Sequence, residues 1–266
     1  PTYRAAVRSA LEHIATGDVY QVCLAWEQVM DGMVNPVAAW HLLRQDNPAA
    51  RAALLRAGDR WLLSNSPETF LDVSATPQGL HARSVPIKGT VPVSAGPEGR
   101  AWLGQSAKEI AELTMIVDLV RNDLGRVASP GTVRAGPRTL RRCGDLIHAE
   151  QEIEARLRPG VDAVDAMAAA FPPGSVTGAP KIRAMELIHA LERASRGPYT
   201  GVLGLWGDDG SANSSVLIRT ASIEPSRSRY HIGAGIVADS VPDREWEETC
   251  QKGAALGAAL ARAIES

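Results

Sequence analysis

The sequence predicts an α+β fold in which antiparallel β-sheets pack between helical layers, and three observations carry that prediction. The first third alternates short extended runs with tight turns, the pattern of hairpins. Residues 106–124 then carry one long apolar stripe of helical period. The last third returns to extended candidates at 200–206, 213–223 and 229–237 before a closing helix. With 266 residues and 45% hydrophobic content, the chain can bury a sizeable core, expected as one large domain over residues 1–266.

Taken in order, Val7, Leu11 and Ile14 fall at helical spacing within residues 3–16, and Gly17-Asp18 closes that helix before a strand at 19–25 that carries Gln21. An Ala-rich stretch at 36–45 predicts a second helix, and residues 52–56 and 61–63, joined through Gly58-Asp59, predict a hairpin. Residues 64–68 form a turn presenting the Glu68 carboxylate, and strands at 69–75 and 79–85 lead into residues 83–92. On the long helix Ile110, Leu113, Val117, Val120 and Leu124 line one face, while Asp118, Arg121 and Asn122 form a charge cluster at i, i+3 and i+4. Within 139–158, Glu150, Glu152 and Glu154 alternate as in a strand with one polar face. The Gly/Pro loop 171–181 opens a helix with Pro180 in its first turn and Thr177 or Ser175 as its cap. That helix runs through Met185, Ile188 and Leu191 to a stop at Arg196-Gly197-Pro198. After the three late strands the chain stays extended to Ser240, and the last helix begins after Pro242.

Composition narrows the function. Net charge is −2 with basic residues scattered, which leaves no electrostatic footprint for nucleic acid or an anionic membrane. No apolar run approaches the ~18 residues of a membrane span, and no charged-then-apolar leader opens the chain, so a cytoplasmic location is expected. Cys23, Cys143 and Cys250 are odd in number and widely spaced, which argues for buried thiols rather than a disulfide framework.

Several residues carry chemistry. Two prolines bracket Pro86-Ile87-Lys88-Gly89-Thr90-Val91-Pro92 and hold it extended. Lys88, flanked by Ile87 and Val91, is a candidate nucleophile if desolvated and an ordinary loop ammonium if not. Glu112 shares its helix face with Ile116 and Leu119, so its carboxylate wants an arginine, a helix N-terminus or a metal ion, unless it lies at the solvated edge. His148 stands alone, with no second histidine at zinc-binding spacing. In the strand 213–223 both faces are largely apolar, so Arg219 there requires a buried anion, from the protein or a ligand. Gly233-Ala234-Gly235-Ile236-Val237-Ala238 matches a dinucleotide pattern but opens no helix directly, and its glycines better suit backbone amides approaching an oxyanion. Glu245, Glu248 and Lys252 form one stripe, which fits a solvated face and a ligand-and-metal face equally.

Taken together, Ser66-Pro67-Glu68, Pro86-Ile87-Lys88-Gly89-Thr90, Glu112 in Ala-Glu-Leu-Thr-Met-Ile-Val-Asp-Leu-Val-Arg-Asn-Asp, Thr177-Gly178-Ala179-Pro180-Lys181, Ile218-Arg219-Thr220 and Gly233–Ser240 are far more specific than any one motif. In this order they resemble the catalytic domain of the chorismate-utilising enzymes over nearly the whole chain, and within that family the aminodeoxychorismate synthase component I branch, which serves p-aminobenzoate and folate synthesis. The resemblance implies that Glu112 and Glu248, with Glu245 nearby, ligate Mg²⁺, and that the ion holds the ring carboxylate of chorismate. It implies that Gly233, Ala234, Gly235 and Lys252 help bind that carboxylate, and that Tyr199 and Arg219 bind the enolpyruvyl carboxylate. Lys88 would attack C2 with Glu68 as general acid and His148 near the ring, after which ammonia from a glutamine amidotransferase subunit would add at C4.

Two positions separate the branches. Anthranilate synthases are similar but carry alanine where Lys88 stands, and isochorismate and salicylate synthases carry a lysine where Gln21 stands. Lys88 with Gln21 therefore favours amination at C4. Departures from the family pattern are Gln151 for a serine, Thr200 for a glycine, and the lack of the N-terminal region that full-length relatives carry. The rivals are anthranilate synthase component I and, from another class, a non-catalytic chorismate-binding module.

Overall fold

A computed structural model of the chain describes residues 2–143, the last of them by its backbone alone, and 145–264. In chain order, α1 (Tyr3–Ala15), β1 (Gln21–Asp31), α2 (Pro36–Asp46), β2 (Arg51–Ala57) and β3 (Arg60–Ser66) come first. Then follow β4 (Thr69–Thr76), β5 (Gly79–Val85), β6 (Ile87–Pro92), α3 (Gly96–Gln105) and α4 (Ala107–Gly125). Next are β7 (Arg134–Cys143), β8 (Leu146–Arg156), α5 (Ala163–Ala170), β9 (Gly178–Ala179) and α6 (Lys181–Leu191). Last are β10 (Val202–Trp206), β11 (Ala212–Val216), β12 (Thr220–Glu224), β13 (Arg227–Ile236) and α7 (Pro242–Arg262). Helices lie on antiparallel sheets, as the α+β expectation has it.

The elements form two compact units, each discontinuous in sequence: Pro1–Pro67, Val176–Gly201 and Leu217–Ser266 in the first, Glu68–Ser175 and Val202–Val216 in the second. The first unit's sheet runs β2-β3-β12-β13-β1-β9. Its longest pairing joins β1 to β13, from Val22 opposite Ile236 to Asp31 opposite Arg227. Strand alternation divides this pair by face. Val22, Leu24 and Ile236 pack with Val7 and Ala10 of α1 and Leu187 and Ile188 of α6, while Tyr230 and Ile232 pack with Leu43 of α2 and Leu256 and Leu260 of α7. The intervening residues Gln21, Cys23, Ala25, His231, Gly233 and Gly235 therefore share the opposite face.

The second unit's sheet runs β10-β11-β4-β5-β8-β6, with β7 also paired to β8. Ser106 caps α4 by accepting from the Glu109 amide. Leu113, Ile116 and Leu124 of that helix are fully buried, each contributing about 1.5–3 kcal/mol relative to exposure.

Several local expectations are corrected. Residues 213–223 are not one strand: β11 pairs with β10 and β4, β12 pairs with β3 and β13, and the chain changes sheets between them. Arg219 lies in that crossover at φ 50, half-buried, rather than within a strand covered on both faces. α6 ends at Leu191, and Pro180 occupies its N-cap with no side-chain cap, so neither Thr177 nor Ser175 serves. The early stop has a cause, since Glu192 turns away to accept a hydrogen bond from the Ala25 amide of β1. Residues 139–158 divide between β7 and β8, and after Ile236 the chain turns at Ala238-Asp239 instead of staying extended. Ile110 and Met185 are exposed at the margins of their stripes. Cys23 is buried and Cys250 exposed, and the Cys143 side chain lies outside the described residues.

Candidate active site

In the second unit Lys88 lies in β6 opposite Ala149 of β8, and Thr90 lies opposite His148. The register shifts between Lys88 and Thr90, where Gly89 takes φ 80. A Cβ at Gly89 would come within 2.7 Å of Leu103 Cδ1 and 2.8 Å of Glu109 Oε2, so conformation and space both demand glycine. In a regular strand Lys88 and Thr90 would share a face; the bulge breaks that alternation and sets the direction of Lys88 independently. Lys88 is half-buried. His148 is buried, and its Nδ1 lies 2.8 Å from Thr90 Oγ1, a contact that fixes the ring.

Glu68 is buried in the turn between β3 and β4. With Asp123, Ser84 and Ser175 it lines a cavity of about 20 Å³, room for a single water. Glu112 on α4 keeps only 15% of its side chain exposed, with Lys108 Nζ at 3.8 Å.

In the first unit Gln21 is fully buried, donates to Cys23 Sγ at 3.7 Å, and at Oε1 has no hydrogen-bond partner among the described residues. Gly233, Ala234 and Gly235 lie in β13 opposite Ala25, Leu24 and Cys23. On the other side of β13 the pairing with β12 reaches only Ala221 opposite Tyr230, so among the described residues no strand covers that edge of Gly233, Ala234 and Gly235. Every second backbone amide of this run points away from β1 to that uncovered edge, the arrangement the oxyanion expectation needs.

Tyr199 follows α6 in a turn locked by charge. Arg196 donates to Glu192 Oε1 at 2.6 Å and Oε2 at 2.9 Å, and to the carbonyls of Cys23 at 2.8 Å and Val176 at 3.0 Å. Burial, the largest single influence, works against the Arg196 charge, but hydrogen bonding to Glu192 together with the charges of Glu192, Tyr199 and Cys23 outweighs it and holds the guanidinium pKa above its ordinary value. The next residue, Thr200, takes φ 64, the left-handed conformation that explains why glycine suits this position. Its hydroxyl donates to the Tyr199 carbonyl at 2.5 Å. On α7, Glu245 is buried, while Glu248 and Lys252 are more exposed and paired at 2.5 Å. Burial first, then the charges of Glu245 and other neighbours including Tyr199, Cys23 and Glu248, push the Tyr3 phenol above its ordinary pKa, so these groups lie in one electrostatic neighbourhood.

Among the described residues no group of three His, Cys, Asp or Glu side chains gathers to hold a metal ion. Glu112 in the second unit and Glu245 and Glu248 in the first each offer hard carboxylate oxygens, the donor chemistry that suits Mg²⁺. Sequence reasoning missed Asp123, His231 and the Glu192–Arg196 pair. Asp123 had a signal, a carboxylate set between Val120 and Leu124 on the apolar stripe; His231 had none.

Residues 1–257 match the family model described as chorismate binding enzyme. The chain belongs to that family. It is 42% identical over 259 residues to anthranilate synthase component 1 of Haloferax volcanii, covering 94% of this chain and 49% of the relative. It is 42% identical over 252 residues to an aminodeoxychorismate synthase of Streptomyces griseus, covering 92% and 34%. The chain thus spans about half the length, or less, of these family members. The crystal structure of anthranilate synthase component I from Streptococcus pneumoniae superposes with a TM-score of 0.86 at 31% identity, covering 96% of this chain and 57% of that one. The menaquinone-specific isochorismate synthase of Escherichia coli shares the family fold, with a TM-score of 0.84 at 24% identity over 97% of this chain and 60% of that one.

Proposed function

We propose that residues 1–266 act as a catalytic domain that aminates chorismate, with Lys88 directing the amine to C4 to give 4-amino-4-deoxychorismate. The observation that carries this reading is Lys88 itself, half-buried beside a glycine bulge and one register step from the fixed His148 ring. The Lys88 amine adds at C2, the diene shifts, and the C4 hydroxyl leaves as water with a proton from Glu68. Ammonia then adds at C4, the diene shifts back, the Lys88 amine departs from C2 as the neutral amine, and the new C4 ammonium returns a proton to the Glu68 carboxylate, which restores the enzyme. His148 and Gln21 border the ring. Tyr199 and Arg219 hold the enolpyruvyl carboxylate. The open amide edge at Gly233, Ala234 and Gly235, with Lys252, receives the ring carboxylate. Glu112 and Glu248, with Glu245 adjacent, would hold Mg²⁺, which when bound supplies positive charge to that carboxylate. A glutamine amidotransferase partner would deliver the ammonia, so the chain alone uses ammonium and not glutamine.

A second reading is anthranilate synthase component I, favoured by the names that most of its relatives carry. Incubation with chorismate, Mg²⁺ and ammonium separates the two. An aminated product that keeps the enolpyruvyl group supports C4 amination, fluorescent anthranilate with free pyruvate supports the second reading, and binding without turnover reduces the chain to a chorismate-binding module.

A further inference from the structure

The Tyr199 side chain is located by three contacts within the first unit, two from β13 and one from the turn after α6. Its ring stacks on the His231 imidazole, with centroids 5.4 Å apart and planes inclined by 16°. The Arg196 guanidinium lies 5.6 Å from the ring centroid. The hydroxyl sits against Gly233, where a Cβ would come within 2.8 Å of it. Arg196 is fixed by Glu192 and two carbonyls, so two sides of the ring rest on rigid groups.

His231 is the unusual member. It lies in β13 opposite Glu27 of β1, is 8% exposed, and its Nε2 has no hydrogen-bond partner among the described residues. A buried polar atom left without a partner destabilises a fold, and an apolar ring would fill the same space without that penalty. Core packing therefore gives no reason for the unpartnered nitrogen; what the position supplies to its neighbour is a flat ring, stacked on Tyr199.

We propose that His231 is a positioning residue: its imidazole forms the wall against which the Tyr199 ring is stacked, holding the phenol hydroxyl over Gly233 beside the open amide edge of β13. The functional half of this rests on the reading in which Tyr199 binds a chorismate carboxylate. Stacking sets the ring plane, and Gly233 sets how far the hydroxyl advances along it. Removing the wall frees the ring to rotate away, which weakens substrate binding more than it slows chemistry at C2 and C4.

Two apolar substitutions separate stacking from folding, because His231→Leu and His231→Phe both remove the unpartnered nitrogen and only phenylalanine restores the stack. His231→Leu is expected to raise the chorismate dissociation constant and KM by about 5–10-fold with kcat changed less than about 2-fold, on the scale of one lost aromatic pair. His231→Phe is expected to bring both within about 2-fold of the parent. The chain has four tyrosines, so tyrosine-labelled NMR resolves the Tyr199 ring without any ligand; its resonances should move in the leucine variant and return towards the parent in the phenylalanine variant. Equal chorismate affinity and equal Tyr199 shifts in the two variants would overturn the proposal. If the parent protein binds no chorismate, the functional reading falls, and the Tyr199 shifts still decide whether His231 positions the ring.

Discussion

The Thr90 hydroxyl and the His148 Nδ1 lie 2.8 Å apart across β6 and β8, one register step from Lys88. The imidazole is thereby oriented by the strand that carries Lys88, the proposed nucleophile. Any change in that strand's bulge disturbs both groups together.

Lys88→Ala tests the nucleophile directly. Binding of chorismate should persist, since Arg219, Glu112 and Glu248 remain, while formation of the C4-amino product falls at least ~100-fold. Ammonia then has an open path to C2, so some anthranilate should appear in the product analysis. Near-parental formation of the C4-amino product would leave Lys88 as an ordinary loop lysine.

Gly89→Ala should act through conformation and space at once. The residue sits at φ 80, and the new Cβ would fall inside contact distance of Leu103 and Glu109. The expected loss is roughly 2–4 kcal/mol of stability, read as a lower urea midpoint, together with loss of turnover as Lys88 is displaced. An unchanged midpoint would show that the bulge is not demanded by the fold.

Much of this was legible in the sequence, and the exceptions have physical causes. Hairpins and long amphipathic helices are local, so α4 and the β2–β3 and β4–β5 pairs follow from spacing and turn residues. The crossover at 217–219 is not local: Val216 and Thr220 join different sheets, and apolar residues on both sides mimic a buried strand. The stop of α6 at Leu191 is set by the Ala25 amide, some 167 residues away, which captures the Glu192 carboxylate. His231 gave no signal because its meaning depends on Tyr199, and nothing along the chain announces that two rings will stack.

Magnesium binding should be linked to substrate binding. If Glu112 and Glu248 hold the ion as proposed, two carboxylates leave its shell incomplete, so Mg²⁺ affinity measured by calorimetry should rise when chorismate is present, and chorismate affinity should rise by the same factor with Mg²⁺. Glu112→Gln and Glu248→Gln should each weaken that coupling. Equal Mg²⁺ affinity with and without chorismate would exclude a shared ion.

Acid should destabilise the fold through His231. Burial pushes its pKa below the ordinary 6.5, with Arg196 acting the same way and Glu27 and Glu192 opposing. The unfolded chain then binds the proton first, so this contribution to stability is intact above about pH 6.5 and declines as pH falls through that value towards the lowered folded pKa. Urea titrations between pH 7 and pH 5 should show a steeper loss for the parent than for His231→Phe. Parallel curves would mean that His231 titrates alike in both states.

The pairing of β1 with β13 also imposes a timetable. Val22 meets Ile236 only after about 200 further residues have left the ribosome, which at ~5–20 residues per second takes on the order of 10–40 s. Through that interval the apolar side of β1, with Val22, Leu24 and Trp26, has no native partner in β13 and stays uncovered by that strand until Ile236 has emerged.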